Sequence, residues 1–127
     1  MNLSFFDYVY IALGGMLGTI SRTVIYQYTN NNQGLATWIV NMLGSFIVGL
    51  ICGLIYFTKT NINESLRVFI VLGLLGSFTT FSAICADSIQ LFITGKIIQG
   101  TLFALLQMLC GLLLAVFGMY LINKIII

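Results

Sequence analysis

Gly76-Ser77-Phe78-Thr79-Thr80-Phe81-Ser82 is the stretch whose reading decides the fold. It lies inside an apolar run from Leu66 to about Thr94, long enough to cross a bilayer with residues to spare. As a straight helix that run would measure roughly 43 Å, against a hydrocarbon core of about 30 Å. Glycine and hydroxyls, with no aliphatic residue among them, make a poor lipid-facing helix and a good place for a helix to break. A break releases backbone amides and carbonyls, and in hydrocarbon each unsatisfied group costs several kcal/mol. Such backbone persists where it is buried in protein, lines water or binds an ion. The rest of the chain must supply that shelter.

The chain has 127 residues, 60% of them hydrophobic and 6% charged, which excludes a soluble domain and indicates an integral membrane protein. Four apolar runs follow one another: Phe5 to Tyr28, Leu35 to Phe57, Leu66 to Thr94 and Ile97 to Ile122. Each suffices for one transmembrane helix, at roughly 20 residues per span. The expected architecture is an all-α membrane protein of four transmembrane helices, the third broken near the bilayer midplane. Residues 1–127 then form a single four-helix transmembrane domain. The N-terminus lacks a basic region and a small-residue cleavage site, so the first run does not read as a signal peptide. Without proline, any interruption must come from glycine and hydroxyl clusters. Cys52, Cys85 and Cys110 are odd in number and lie in apolar runs, where they read as small packing residues.

Working outward from the break, the second run places Asn41, Ser45, Gly49 and Gly53 at intervals of four, hence on one helix face. Glycines there let a neighbouring backbone approach, and Asn41 is either interhelical glue worth about 1 kcal/mol or a functional amide at membrane depth. Trp38, near the start of that run, reads as an interface anchor. Gly14 and Gly18 give the first run a small-xxx-small packing face. Arg22, deep in the same run, either snorkels to the helix end or faces a watery vestibule that attracts anions. In the fourth run Gln107 is the one polar residue on a face shared with Gly111, Ala115 and Gly118. Lys59, Arg67 and Lys124 fall on one side of the membrane and Lys96 on the other. That positive bias is slight enough to permit insertion in both orientations.

The chemistry is bounded as firmly as the fold. Histidine is absent, which removes the commonest general base and the usual metal ligand. Ser77 and Ser82 have no base beside them, so nucleophilic catalysis and an enzymatic role are not expected. A proton-coupled cation exporter of the small multidrug type needs a carboxylate deep in its first helix, and Tyr8 to Tyr28 contains none. Neutral amides, hydroxyls and the positive edges of aromatic rings remain, a set better suited to a small anion than to a cation. The net charge of +2 gives no argument for nucleic acid.

Three motifs together resemble the Fluc (CrcB) family of fluoride channels. They are Gly14-Gly15-Met16-Leu17-Gly18-Thr19-Ile20-Ser21-Arg22, Val40-Asn41-Met42-Leu43-Gly44-Ser45-Phe46 and Gly76-Ser77-Phe78-Thr79-Thr80-Phe81-Ser82. The resemblance implies passive export of cytoplasmic fluoride by a multi-pass protein of the inner (plasma) membrane. It further implies an antiparallel, dual-topology homodimer with two pores, each lined by both subunits. A structural sodium ion at the dimer centre would be held by the backbone carbonyls of Gly76 and Thr79 from each subunit. Asn41, Phe81, Ser82, Ile84, Arg22 and Gln107 would line the pore, with Asn41 as the family's pore asparagine and Phe81 as the first ring of its phenylalanine box. The chain departs from the family where Ile84 replaces the second box phenylalanine, Ala83 a frequent threonine, and Gly111 and Ala115 hydroxyls of the fourth helix. Those departures keep open the alternative of a weakly conducting subunit in a heterodimer.

Overall fold

A computed structural model describes residues 3–30, 32–58 and 62–126. Four stretches among them are long and apolar enough to cross a membrane: Phe5–Tyr28, Gln33–Thr58, Glu64–Ile93 and Ile97–Ile126. The first is helix α1 (Phe5–Tyr28), begun by a reciprocal cap in which Ser4 accepts from the Asp7 amide while Asp7 accepts from the Ser4 amide. Asp7 thus lies in the first turn of the helix. The second is α2 (Gln33–Thr58). Lys59, one of the charges used to weigh orientation, lies outside the described residues.

The third span is built from pieces. A short α3 (Glu64–Arg67), capped by Asn63, leads into a π-helical segment over Val68–Leu75 and then α4 (Gly76–Phe78). Thr79 and Thr80 are extended, with ψ of 155° and 112°, before α5 (Phe81–Ile93) resumes the helix. The expected break is therefore present, near the middle of the 30-residue span. Its two halves stay close to one axis, the span bending by only 10°. The π segment was not anticipated. After α5 the chain turns at Gly95, whose φ of +78° favours glycine. Gly95 N–H bonds the Phe92 carbonyl and Lys96 N–H the Leu91 carbonyl, closing the helix end before α6 (Ile97–Ile126).

Glycines set the packing. A methyl group at Gly14 or Gly18 of α1 would run into the carbonyls of Phe69 and Leu74, and one at Gly73 would lie 2.7 Å from the Ile11 carbonyl. Backbone meets backbone along this pair, as the small-xxx-small spacing anticipates. The second pair, α2 and α6, does the same: a methyl at Gly49 would strike the Ala115 carbonyl, and one at Gly118 would lie 2.6 Å from the Phe46 carbonyl. The two pairs join at mid-depth, where Gly44 leaves room for the Thr79 methyl. Among the described residues only Ala36, Val40, Val68, Leu75, Phe78 and Ile84 form a buried apolar core, while leucines, isoleucines and aromatics cover the outside. In a bilayer that outside is as well solvated as the inside, so close approach and polar bonding, more than apolar burial, hold the helices together. The same reasoning corrects the reading of the cysteines. Cys52 and Cys85 are exposed and Cys110 is half-buried, because a small apolar residue has no need of the interior here.

Gly49→Ala should therefore destabilise the protein by about 1–3 kcal/mol, the range for forcing volume into a packed site. Gly76→Ala should be tolerated within one chain, since its added methyl would meet only the Val71 carbonyl at 3.6 Å. Thermal unfolding in detergent, followed by circular dichroism, checks the contrast.

Candidate permeation site

The break is held open by one side chain. Thr80 N–H donates to Asn41 Oδ1 at 2.9 Å, and Asn41 Nδ2 donates back to the Thr80 carbonyl at 3.3 Å. The amide of Asn41 thus pairs with the backbone of Thr80 much as a neighbouring strand would, satisfying both groups that the extended conformation exposes. Asn41 can reach them because Gly44, one turn along α2, lets Thr79 press against the helix. Asn41 is 8% exposed, so its bonds form away from solvent, where an unmade bond is most costly. Its second Nδ2 hydrogen goes to Gln107 Oε1 on α6, at 3.1 Å.

Carbonyls of the last turn are released by the same geometry, Gly76 and Thr79 among them. In a continuous helix Thr80 N–H would bond the Gly76 carbonyl, and here it goes to Asn41. Ala83 N–H would bond the Thr79 carbonyl, and here it goes to the Thr80 hydroxyl at 3.3 Å. Thr79 N–H and its hydroxyl both point back to the Leu75 carbonyl. The two carbonyls that the family resemblance assigns to sodium are among those that lose their helical donors at the break. Oxygen atoms of this kind fit a hard cation. Among the described residues no three His, Cys, Asp or Glu side chains come together as metal ligands, so a cation site here would be a backbone site.

Beside the break lies an open groove of about 410 Å³ between α2, the start of α5 and α6. It brings together Asn41, Thr79, Phe81, Ile84 and Gln107. Ile84 is buried, whereas Phe81 stands 66% exposed at the groove's lip. Ser82 and Arg22 are not in its wall. Ser82 lies exposed on the first turn of α5, its hydroxyl 3.0 Å from that of Thr80, and Arg22 is half-buried on α1. Gly76 also lies outside the groove. Gln107 is 2% exposed, and its Nε2 finds no hydrogen-bond partner.

A second polar cluster was missed by the sequence reading. Thr37, one turn before Asn41 on α2, donates to Asp87 Oδ2 at 2.7 Å. Tyr26 OH lies 2.8 Å from the same Thr37 oxygen and must be the donor there, because Thr37 has only one hydrogen to give. Asp87, 8% exposed, opens onto a cleft of about 530 Å³ shared with Lys96, Gln90 and Trp38. The signal was present, since Thr37 extends the Asn41-Ser45-Gly49-Gly53 series by one more step of four. Trp38 packs edge-on against Phe103, with ring centres 6.4 Å apart.

Comparison with known proteins places these features in a family. Residues 9–119, which include the whole break and groove, match the family described as "CrcB-like protein, Camphor Resistance (CrcB)". The chain belongs to the CrcB family. Among its relatives, a protein of Flavobacterium psychrophilum is 37% identical over 109 residues, covering 82% of this chain and 86% of its own length. One of Thermus thermophilus is 34% identical over 115 residues, covering 87% and 89% respectively. A third, from Ruminiclostridium cellulolyticum, is 38% identical over 96 residues, covering 72% and 73%. Each is named "Fluoride-specific ion channel FluC". As a CrcB protein with four apolar spans, the chain is a multi-pass membrane protein, and its relatives are channels rather than enzymes.

Replacing the amide at the break tests the site's construction. Asn41→Leu keeps the branched shape but strands the Thr80 amide, at about 1–3 kcal/mol for a buried group, while the Thr80 carbonyl, as N-cap of α5, keeps the first bond of that helix. A midpoint of reversible unfolding in detergent lowered to match, with Thr80 amide hydrogen exchange accelerated, is the expected result.

Proposed function

We propose that the chain is a passive, fluoride-selective channel of the inner (plasma) membrane. Two copies inserted in opposite orientations would form it, with two pores each lined by both copies. The observation that carries this reading is that the family match encloses the whole break and groove, in relatives named for fluoride conduction. Phe81 supports a pore completed by a second chain, because this groove-lining ring stands 66% exposed, uncovered by its own chain.

In this reading fluoride approaches through a vestibule near Arg22, which favours anions. It then passes the groove, where Asn41 lines the wall, Gln107 and Phe81 offer amide and ring-edge hydrogens, and Ile84 fills the space of a ring without a positive edge, with the Ser82 hydroxyl on the neighbouring first turn of α5. The carbonyls of Gly76 and Thr79 from each copy would hold one sodium ion, whose charge would neutralise the oxygens gathered at the dimer centre. A passive pathway suffices for export. Fluoride enters a cell as neutral HF from acidic surroundings, ionises in the cytosol and leaves as the anion along its electrochemical gradient.

Purified protein in liposomes loaded with fluoride should release it when a potassium ionophore clamps the voltage, while chloride stays behind. Arg22→Gln should slow that release several-fold without changing the elution of the purified protein. Chloride efflux at a similar rate would remove the fluoride assignment, and silence of the protein alone would favour a heterodimer with a second family member.

A further inference from the structure

We propose that Gln107 is the group that meets the permeating anion, and that Asn41 acts through it as a positioning residue. The inference rests on the anion-channel reading and adds to it a division of labour between the two amides.

The argument starts at the backbone, where polarity is fixed. An N–H can only donate, so Thr80 N–H obliges Asn41 to present Oδ1 to it. That choice turns Nδ2 the other way, toward the Thr80 carbonyl and Gln107. Both Nδ2 hydrogens then have acceptors, so Asn41 has no donor left to offer an ion. Gln107, facing a donor, must present Oε1, and the 3.1 Å bond is the one expected. Its Nε2 is left over, and this nitrogen is buried, lacks a partner and belongs to a side chain in the groove wall. A chain of two amides thus carries the polarity of the helix break to the groove wall and makes its one unpaired group a donor.

Such a donor differs from the hydroxyls nearby. Ser45, also in the groove wall, can donate or accept by rotating its hydrogen and so does not discriminate by charge sign. The Gln107 amide cannot invert without losing its bond to Asn41, which in turn cannot invert without stranding Thr80. Gly111 and Ala115, which follow on the same wall of α6, have no side-chain donor of their own. A buried, unpartnered amide in the groove wall favours a small, strongly accepting anion, and fluoride is the halide that accepts hydrogen bonds best. A cation at the same place would meet the positive hydrogen ends of the Gln107 amide.

Two measurements on the full-length protein test this. In the liposome assay, Gln107→Met, which keeps the length and removes the donor, should slow fluoride efflux at least tenfold. Gln107→Glu, which puts an acceptor in its place, should slow it at least a hundredfold. The second measurement uses side-chain amide NMR of 15N-glutamine- and 15N-asparagine-labelled protein titrated with sodium fluoride, with sodium gluconate as control. The Gln107 NH2 pair should shift with fluoride alone, and the Asn41 pair should move far less. In Asn41→Asp a carboxylate oxygen faces Gln107 and turns its amide about, so the Gln107 pair should lose its fluoride response. A merely structural Gln107 would show no such response in any form. Wild-type flux in Gln107→Met, or a Gln107 pair unmoved by fluoride in a conducting wild type, overturns the proposal. If the wild type alone does not conduct, the homodimeric channel reading fails, and the titration still decides whether Gln107 donates to fluoride: a shift supports the proposal and its absence overturns it.

Discussion

A bilayer offers backbone groups no water, so a helix can open at mid-depth only if something else takes its place. In this chain the substitute is a single carboxamide. Asn41 of α2 pairs with both the amide and the carbonyl of Thr80, and the third span can then run extended over two residues. Remove that pairing and the Thr80 amide is stranded in an apolar interior, at about 1–3 kcal/mol. The groove, the freed carbonyls of Gly76 and Thr79 and the orientation of Gln107 all follow from it.

The rest of the fold brings Asn41 within reach. Gly49 and Gly118 draw α2 and α6 together until their backbones touch, and Gly14, Gly18 and Gly73 do the same for α1 and the π segment. Each pair buries little apolar area, and neither could hold a polar seam by hydrophobic force, which is weak between helices in lipid. The seam is held by hydrogen bonds: Asn41 with Thr80 and Gln107, and Thr37 with Asp87 and Tyr26. Backbone contact along the pairs and polar bonds between them divide the work, and the groove opens where the two meet.

Much of this was legible in the sequence because the medium simplifies the reading. Four apolar runs gave four spans, and the Gly76–Ser82 cluster located the break to within its own length. Helical spacing put Asn41, Gly49 and Gly53 on one face, and all three are buried there. What escaped was set by partners distant in the chain. No local pattern distinguishes a π segment, whose wider turns lie where Gly73 backs onto α1. The sequence identified Asn41 as a polar group at depth, but its partner is a backbone amide, which every residue but proline carries and which no motif marks. Asp87 was visible as an intramembrane acid, yet its bond to Thr37 spans 50 residues of sequence. The cysteines were misplaced because, in lipid, an apolar side chain is no guide to which way it faces.

The claim on which the account depends is that the third helix is interrupted at Thr79 and Thr80 and held so by Asn41. Solid-state NMR of uniformly 13C,15N-labelled protein in lipid bilayers addresses it directly, through the backbone shifts of these two threonines and the through-space neighbours of the Thr80 amide. Extended-type Cα and Cβ shifts at both residues, with a correlation from Thr80 N–H to Asn41 Cγ, are the predicted result. Helical shifts running unbroken from Gly76 to Ile93, with no contact between Thr80 and Asn41, would contradict it.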